Sequence, residues 1–186
     1  KLTGYPLFQG ILAVGKIPPP ASLEQILQSC GRPWLLVAVE GITNAHNMGV
    51  VTRNCAAFGA HAMVMGETAC SPFLRRAVRN SMGAIFQLPV VETDCLVEML
   101  HGLRARQVRC IAAHPRAANV ALPRCDFTKD VCLVFGSEGY GLLPETLNAC
   151  DESAAIPMAG QVDSLNVGSA AAAFLYEVGR QRGRFC

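Results

Sequence analysis

Three short stretches of the chain hold the residues whose types and spacing could do chemistry. In "ITNAHNMGVVTRN", Asn47, Gly49 and Arg53 fall at the start and first turns of an expected helix. Asn47 can cap that helix, Gly49 admits close approach of another backbone, and Arg53 lies four residues on, on the same face as Gly49. Ordinary capping beside a solvated arginine is the other reading of this stretch. In "LVFGSEGYGLLPE", Gly136, Gly139 and Gly141 end a strand and surround Glu138. An acid in a tight glycine turn needs a backbone or cation partner. In "IPMAGQVDSLNVGSAAAAF", Ser164, Leu165 and Asn166 stand at the mouth of a helix whose next turns are almost all Gly, Ser and Ala. Capping by Ser164 would explain the mouth but not the low-bulk face, which buries little area and lets another backbone come very close.

The glycine spacing argues against two large enzyme classes. "GSEGYG" does not match the G-x-G-x-x-G dinucleotide fingerprint, and no G-x-x-x-x-G-K-[ST] phosphate loop occurs. A nicotinamide oxidoreductase and an NTPase are therefore disfavoured.

The elements that must position these clusters alternate from Trp34 onward. "WLLVAVE" reads as a buried strand, "NMGVVTRNCAAFG" as a helix closed by Gly59, and "AHAMVMG" as a second strand. "SPFLRRAVRNSMG" reads as a helix with Ser71 as N-cap and Pro72 at its first position. "AIFQLPVVE" follows as a strand, "DCLVEMLHGLRARQ" as a helix and "VRCIAAH" as a strand. "VCLVFG" is a further strand, "LPETLNACD" a short helix and "ESAAIPM" a last, edge-like strand before the Ala-rich helix. This rhythm predicts an α/β domain: a mostly parallel sheet with helices on both faces and ligands at the carboxyl ends of its strands.

At 186 residues the chain has room for one well-buried domain. The longest apolar runs are strand-length, short of the ~20 residues of a membrane helix. A formal charge of +2 gives no general attraction to nucleic acid, so any RNA argument rests on where the arginines lie. Arg75, Arg76 and Arg79 in "FLRRAVRN" form either a phosphate track or a solvated helical face. Nine scattered cysteines without a C-x-x-C pair read as free thiols of a reducing cytoplasm, with no metal site expected. His46 lies beside the first cluster; His61, His101 and His114 read as surface or strand-end residues. The triple proline at Pro18 to Pro20 is stiff and extended, so residues 1–32 read as the tail of a preceding domain or a linker, and 33–186 as the domain that carries the three clusters.

Taken together and in this order, the clusters resemble the SpoU-type RNA 2′-O-ribose methyltransferases of the SPOUT superfamily. "NMGVVTRN" is similar to motif one, "LVFGSEGYGL" to motif two and "IPMAGQVDSLNVGSAAAA" to motif three, and "RNSMGAIFQLPV" resembles a further family stretch. The resemblance covers roughly Val37 to Gly179. The chain departs from the family at Asn44 and Ala45, where an Asp-Pro pair is common, and at Asn54, where Ser or Thr is common.

The resemblance implies a C-terminal segment threaded into a deep trefoil knot, with S-adenosylmethionine as cofactor bent inside it against Gly136, Ile156, Met158, Leu165 and Val167. It implies a homodimer in which Arg53 completes a site beside the partner's cofactor, with Asn47, Glu138, Ser164 and Asn166 orienting the arginine and the hydroxyl. A guanidinium has a pKa above about 12 and is a poor base, so Arg53 is expected to clamp a phosphate and stabilise developing alkoxide charge. The implied substrate is ribosomal or transfer RNA. Ribosomal RNA is favoured because "QGILAVGKIPP" resembles the end of a small RNA-binding domain. The alternative is a catalytically inactive RNA-binding or assembly module on the same fold.

Overall fold

A computed structural model describes residues 14–115, 120–160 and 163–184. Cys186 and the first part of the "QGILAVGKIPP" stretch lie outside them. Among the described residues the strands are β1 (Leu35–Val39), β2 (Ala62–Met65), β3 (Val90–Glu92), β4 (Arg109–Ala113), β5 (Val120–Ala121), β6 (Val131–Phe135) and β7 (Glu152–Ala155). They form one parallel sheet in the order β3-β2-β1-β6-β4-β7-β5.

The helices are α1 (Leu23–Ser29), α2 (Ala45–Ala57), α3 (Arg75–Asn80), α4 (Leu96–Ala105), α5 (Pro144–Ala149) and α6 (Val167–Gln181). Two apolar layers explain why the strands read as continuous hydrophobic runs. Leu35, Val37 and Val39 of β1 point toward α2 and α6, where Met48, Val51, Phe174 and Val178 are buried. Leu36 and Ala38 point the other way, onto Leu96, Leu100 and Leu103 of α4 and Ile26 and Leu27 of α1. Helices thus cover both faces. The stretch before residue 33 reaches the second layer through α1, and the Ala21 N–H donates to the Val90 carbonyl at 2.8 Å.

Several local expectations are corrected. Asn47 does not cap α2: Asn44 does, its side chain accepting from the His46 N–H at 2.9 Å, which leaves Asn47 buried inside the first turn. Ser71 does not open α3. Its hydroxyl accepts from the Phe73 N–H in a short turn, Phe73 packs on the core, and the helix begins only at Arg75. The "AIFQLPVVE" strand shrinks to β3, because Ala84–Phe86 winds into a 3-10 turn. The last strand, β7, is not an edge, since the two-residue β5 pairs outside it. Asn166, not Ser164, caps α6, accepting from the Gly168 N–H at 2.9 Å.

Candidate active site

Parallel pairing of β1 with β6 aligns Val39 with Phe135, so both strands release their chains at the same carboxyl edge. That edge carries two of the three polar clusters, and a sheet whose chain order reverses beside β1 offers a crevice there. From β1 the chain runs into α2 and Asn47; from β6 it runs into a closed loop. The Ser137 and Gly141 backbones exchange two hydrogen bonds of 3.0 Å, and a Cβ at Gly136 would overlap the Gly141 carbonyl. This tight return carries Glu138 outward.

Glu138 meets both other clusters. Its carboxylate accepts from the Asn47 amide at 2.6 Å and from the Asn166 amide, which also donates to the Asn47 side-chain oxygen at 3.2 Å. The Asn166 oxygen is already committed to the cap of α6. Two amides therefore hold one acid, and three segments far apart in sequence are tied at one point. Asn54 adds a second tie, its amide donating to the Gly168 carbonyl at 2.7 Å.

Next to this junction lies a cavity of about 410 Å³, within the size range of small-molecule sites. Gly136, Ile156, Met158, Leu165 and Val167 all line it, together with Glu138 and Ser164. Sequence reasoning missed further wall residues: His114 at the end of β4, Phe135 and Phe174, Tyr140 on the β6 loop, and Asp163. The strand-end position of His114 was a usable signal; nothing in the sequence marked Phe174. An apolar wall of Phe135, Ile156 and Phe174 beside the acids Glu138 and Asp163 suits a nucleoside that carries a cationic centre. The residues present thus fit S-adenosylmethionine. Among the described residues no group of three or more His, Cys, Asp or Glu could hold a metal ion, and no helix is long and apolar enough to cross a membrane.

Arg53 stands apart. It is exposed, lines no part of the cavity, and makes no hydrogen bond or ion pair among the described residues. It lies six positions along α2 from Asn47, about 9 Å of rise and a different face. Arg75, Arg76 and Arg79 are exposed on α3. His46 is fixed against α3, its Nδ1 donating to Asn80 Oδ1 at 3.0 Å.

Residues 34–176 match the family model described as SpoU rRNA Methylase family. An uncharacterized tRNA/rRNA methyltransferase of Mycobacterium tuberculosis is 34% identical over 194 residues, covering 99% of this chain and 58% of that protein. A 23S rRNA (guanosine-2′-O-)-methyltransferase, RlmB, of Ralstonia nicotianae is 33% identical over 182 residues, covering 97% of this chain and 73% of the relative. The crystal structure of the SpoU methyltransferase AviRb from Streptomyces viridochromogenes in complex with AdoMet aligns with a TM-score of 0.81 at 30% identity. That alignment covers 89% of this chain and 66% of AviRb. The chain spans 58% of the length of the mycobacterial relatives it matches.

Proposed function

The chain belongs to the SpoU rRNA methylase family, and we propose that it transfers a methyl group from S-adenosylmethionine to a ribose 2′-hydroxyl of RNA. The observation that carries this reading is the junction of Asn47, Glu138 and Asn166 beside a nucleoside-sized cavity. When bound, S-adenosylmethionine would supply the methyl group from its sulfonium by in-line displacement, the S–CH3 bond breaking as the O–CH3 bond forms, with the neutral thioether as leaving group and release of the hydroxyl proton. The chain's task is to hold it and to align the hydroxyl. Ile156, Met158, Leu165 and Val167 would enclose the cofactor, and Gly136, tight against Gly141, would keep the β6 loop closed around it. Asn47 and Asn166 fix the Glu138 carboxylate, and Ser164 lies exposed at the same mouth to orient the ribose.

Arg53 acts in the site of a second copy, which its exposure and its absence from the lining of its own cavity support. There it clamps a phosphate and stabilises charge on the attacking oxygen rather than removing a proton. The protein is accordingly read as a homodimer of the cytoplasm. Close passage of α6 across α2 supports the knot: a Cβ on Gly168 would lie 2.5 Å from Val50. Residues 1–32 are read as the tail of a preceding RNA-binding domain or a linker, of which α1 packs on the sheet through Ile26 and Leu27. Ribosomal RNA is favoured as substrate, in keeping with the name of the Ralstonia relative.

Calorimetric titration with S-adenosylmethionine, followed by methylation of total RNA and mapping of sites resistant to alkaline cleavage, tests the reading. Cofactor binding with resistant riboses supports it. An inactive RNA-binding or assembly module would show neither.

A further inference from the structure

The 3-10 turn after α3 leaves large apolar side chains in water with no packing reason for them. Met82 is 75% exposed and Phe86 71%, and Leu74 ahead of the helix is 47% exposed. Met82 also holds a left-handed backbone, φ 54°, a conformation that costs a non-glycine residue and recurs at functional sites. Two backbone turns join these positions: the Met82 N–H donates to the Arg79 carbonyl at 3.2 Å, the Phe86 N–H donates to the Gly83 carbonyl at 3.1 Å, and the Phe86 ring lies beside Gly83.

Charge along this segment has one sign. From Thr68 to Val91 the sequence holds Arg75, Arg76 and Arg79 and no Asp or Glu. The surface is also rigidly joined to the site. Gly49 of α2 lets α3 approach so closely that a Cβ there would sit 2.5 Å from the Ala77 carbonyl, and His46 is bonded to Asn80. An exposed aromatic on the same short segment as three exposed arginines, locked to the helix that carries Asn47, matches the chemistry of unpaired bases on a charged backbone.

Resting on the methyltransferase reading above, we propose that this α3 surface docks single-stranded RNA flanking the target nucleotide. Phe86 stacks on a base, Met82 packs beside it, and Arg76 and Arg79 hold the adjoining phosphates. A helical duplex, whose bases are already stacked, offers Phe86 nothing.

The test is fluorescence anisotropy of a labelled single-stranded oligouridylate, and of an RNA duplex of equal length, with the intact chain at several salt concentrations. Phe86→Ala should weaken single-strand binding about tenfold, leave the salt slope unchanged, and keep the wild-type melting temperature and S-adenosylmethionine affinity. Phe86→Trp should retain binding. Arg76→Ala and Arg79→Ala should each reduce the salt slope by about 0.7. Unchanged affinity in Phe86→Ala, no binding of the single strand by the wild type, or equal loss on the duplex overturns the proposal. So does conversion of a dimer to a monomer in sedimentation of Phe86→Ala, which would make the surface a contact between copies. If the wild type takes no cofactor while Phe86→Ala still loses the oligonucleotide, the methyltransferase reading fails and the docking surface stands.

Discussion

Glu40 accepts a 2.5 Å hydrogen bond from the hydroxyl of Thr146 and a 2.7 Å bond from the Leu143 N–H. One buried carboxylate at the end of β1 therefore anchors the first turn of α5, which follows the glycine loop of β6. α5 has no side-chain cap of its own, so Glu40 serves in that place across more than a hundred residues. The loop bearing Glu138 is held at one end by the sheet and at the other by this acid.

Glu40→Gln should loosen that anchor. Both partners of Glu40 are donors, and an amide offers one acceptor oxygen, so one buried donor loses its partner at a cost of about 1–3 kcal/mol. Urea unfolding should show the loss, and S-adenosylmethionine should bind more weakly because the β6 loop walls the cavity. Full stability with wild-type affinity would show that the loop is fixed without Glu40.

The alternation of strands and helices was legible because apolar runs bounded by glycines and polar caps report local periodicity. The order of the strands was not. That β1 neighbours β6, so that Asn47 meets Glu138, depends on pairings between distant segments that no local window contains. Asn47 shows the limit well: an asparagine near a helix start reads as a cap, yet Asn44 lies three residues earlier and takes that role. "AIFQLPVVE" reads as a strand by its apolar content, whereas Ala84–Phe86 winds into a 3-10 turn behind the left-handed Met82 and Gly83, and only Val90–Glu92 pairs in the sheet. His114 and Phe174 reach the cavity only through the packing of β4 and α6.

Ala171→Leu tests the closeness of α6 to its neighbours. Ala171 is fully buried on the helix face that also carries Phe174 and Leu175, so added carbons must displace packed atoms. Overpacking of this kind costs roughly 1–3 kcal/mol. Gly49→Ala should act similarly at the contact between α2 and α3. A wild-type melting temperature for Ala171→Leu would mean that this face has room to spare.

Stability should fall on acidification through His61. Its Nδ1 accepts from the Leu35 N–H at 3.0 Å, so the neutral ring belongs to the fold. Burial lowers its pKa below the ordinary 6.5, Arg184 and Arg182 add to the shift, and Asp130 opposes it. Because the unfolded chain then takes up the proton more readily, the contribution is present above pH 6.5 and lost as pH drops through the lower folded value. Urea midpoints measured downward from pH 8 should decline, and His61→Gln should flatten that decline. A profile identical in the variant would assign the acid sensitivity elsewhere.

Thiol reactivity should sort by burial. Desolvation pushes Cys55 and Cys150 up to about 12, and Cys132, hydrogen-bonded to Cys110 inside the sheet, lies well above its usual value. A thiolate is the reacting form, so these three should resist iodoacetamide at pH 8 in the folded protein and react in urea. Peptide mass mapping reads the outcome. Rapid labelling of Cys150 in the native state would reveal local opening between α5 and the sheet.

Separating chemistry from binding decides the role of Arg53. It touches neither the cavity nor the Glu138 junction of its own chain, so Arg53→Ala should leave S-adenosylmethionine affinity nearly unchanged. If the guanidinium acts on charge that develops only as the 2′-oxygen attacks, methyl transfer should drop on the order of a hundredfold or more. Arg53→Lys should rescue poorly, because an ammonium lacks the planar two-pronged grip. Leu165→Arg should do the reverse, placing charge in the cavity wall and abolishing cofactor binding before any transfer. Mixing Arg53→Ala with Leu165→Arg then probes whether sites are shared. A mixed dimer joins an intact Arg53 from the second variant to an intact cavity from the first, so activity should return in the mixture. Absence of recovery, with mixed dimers verified by mass, would place Arg53 in the site of its own chain, and wild-type transfer by Arg53→Ala alone would remove it from catalysis.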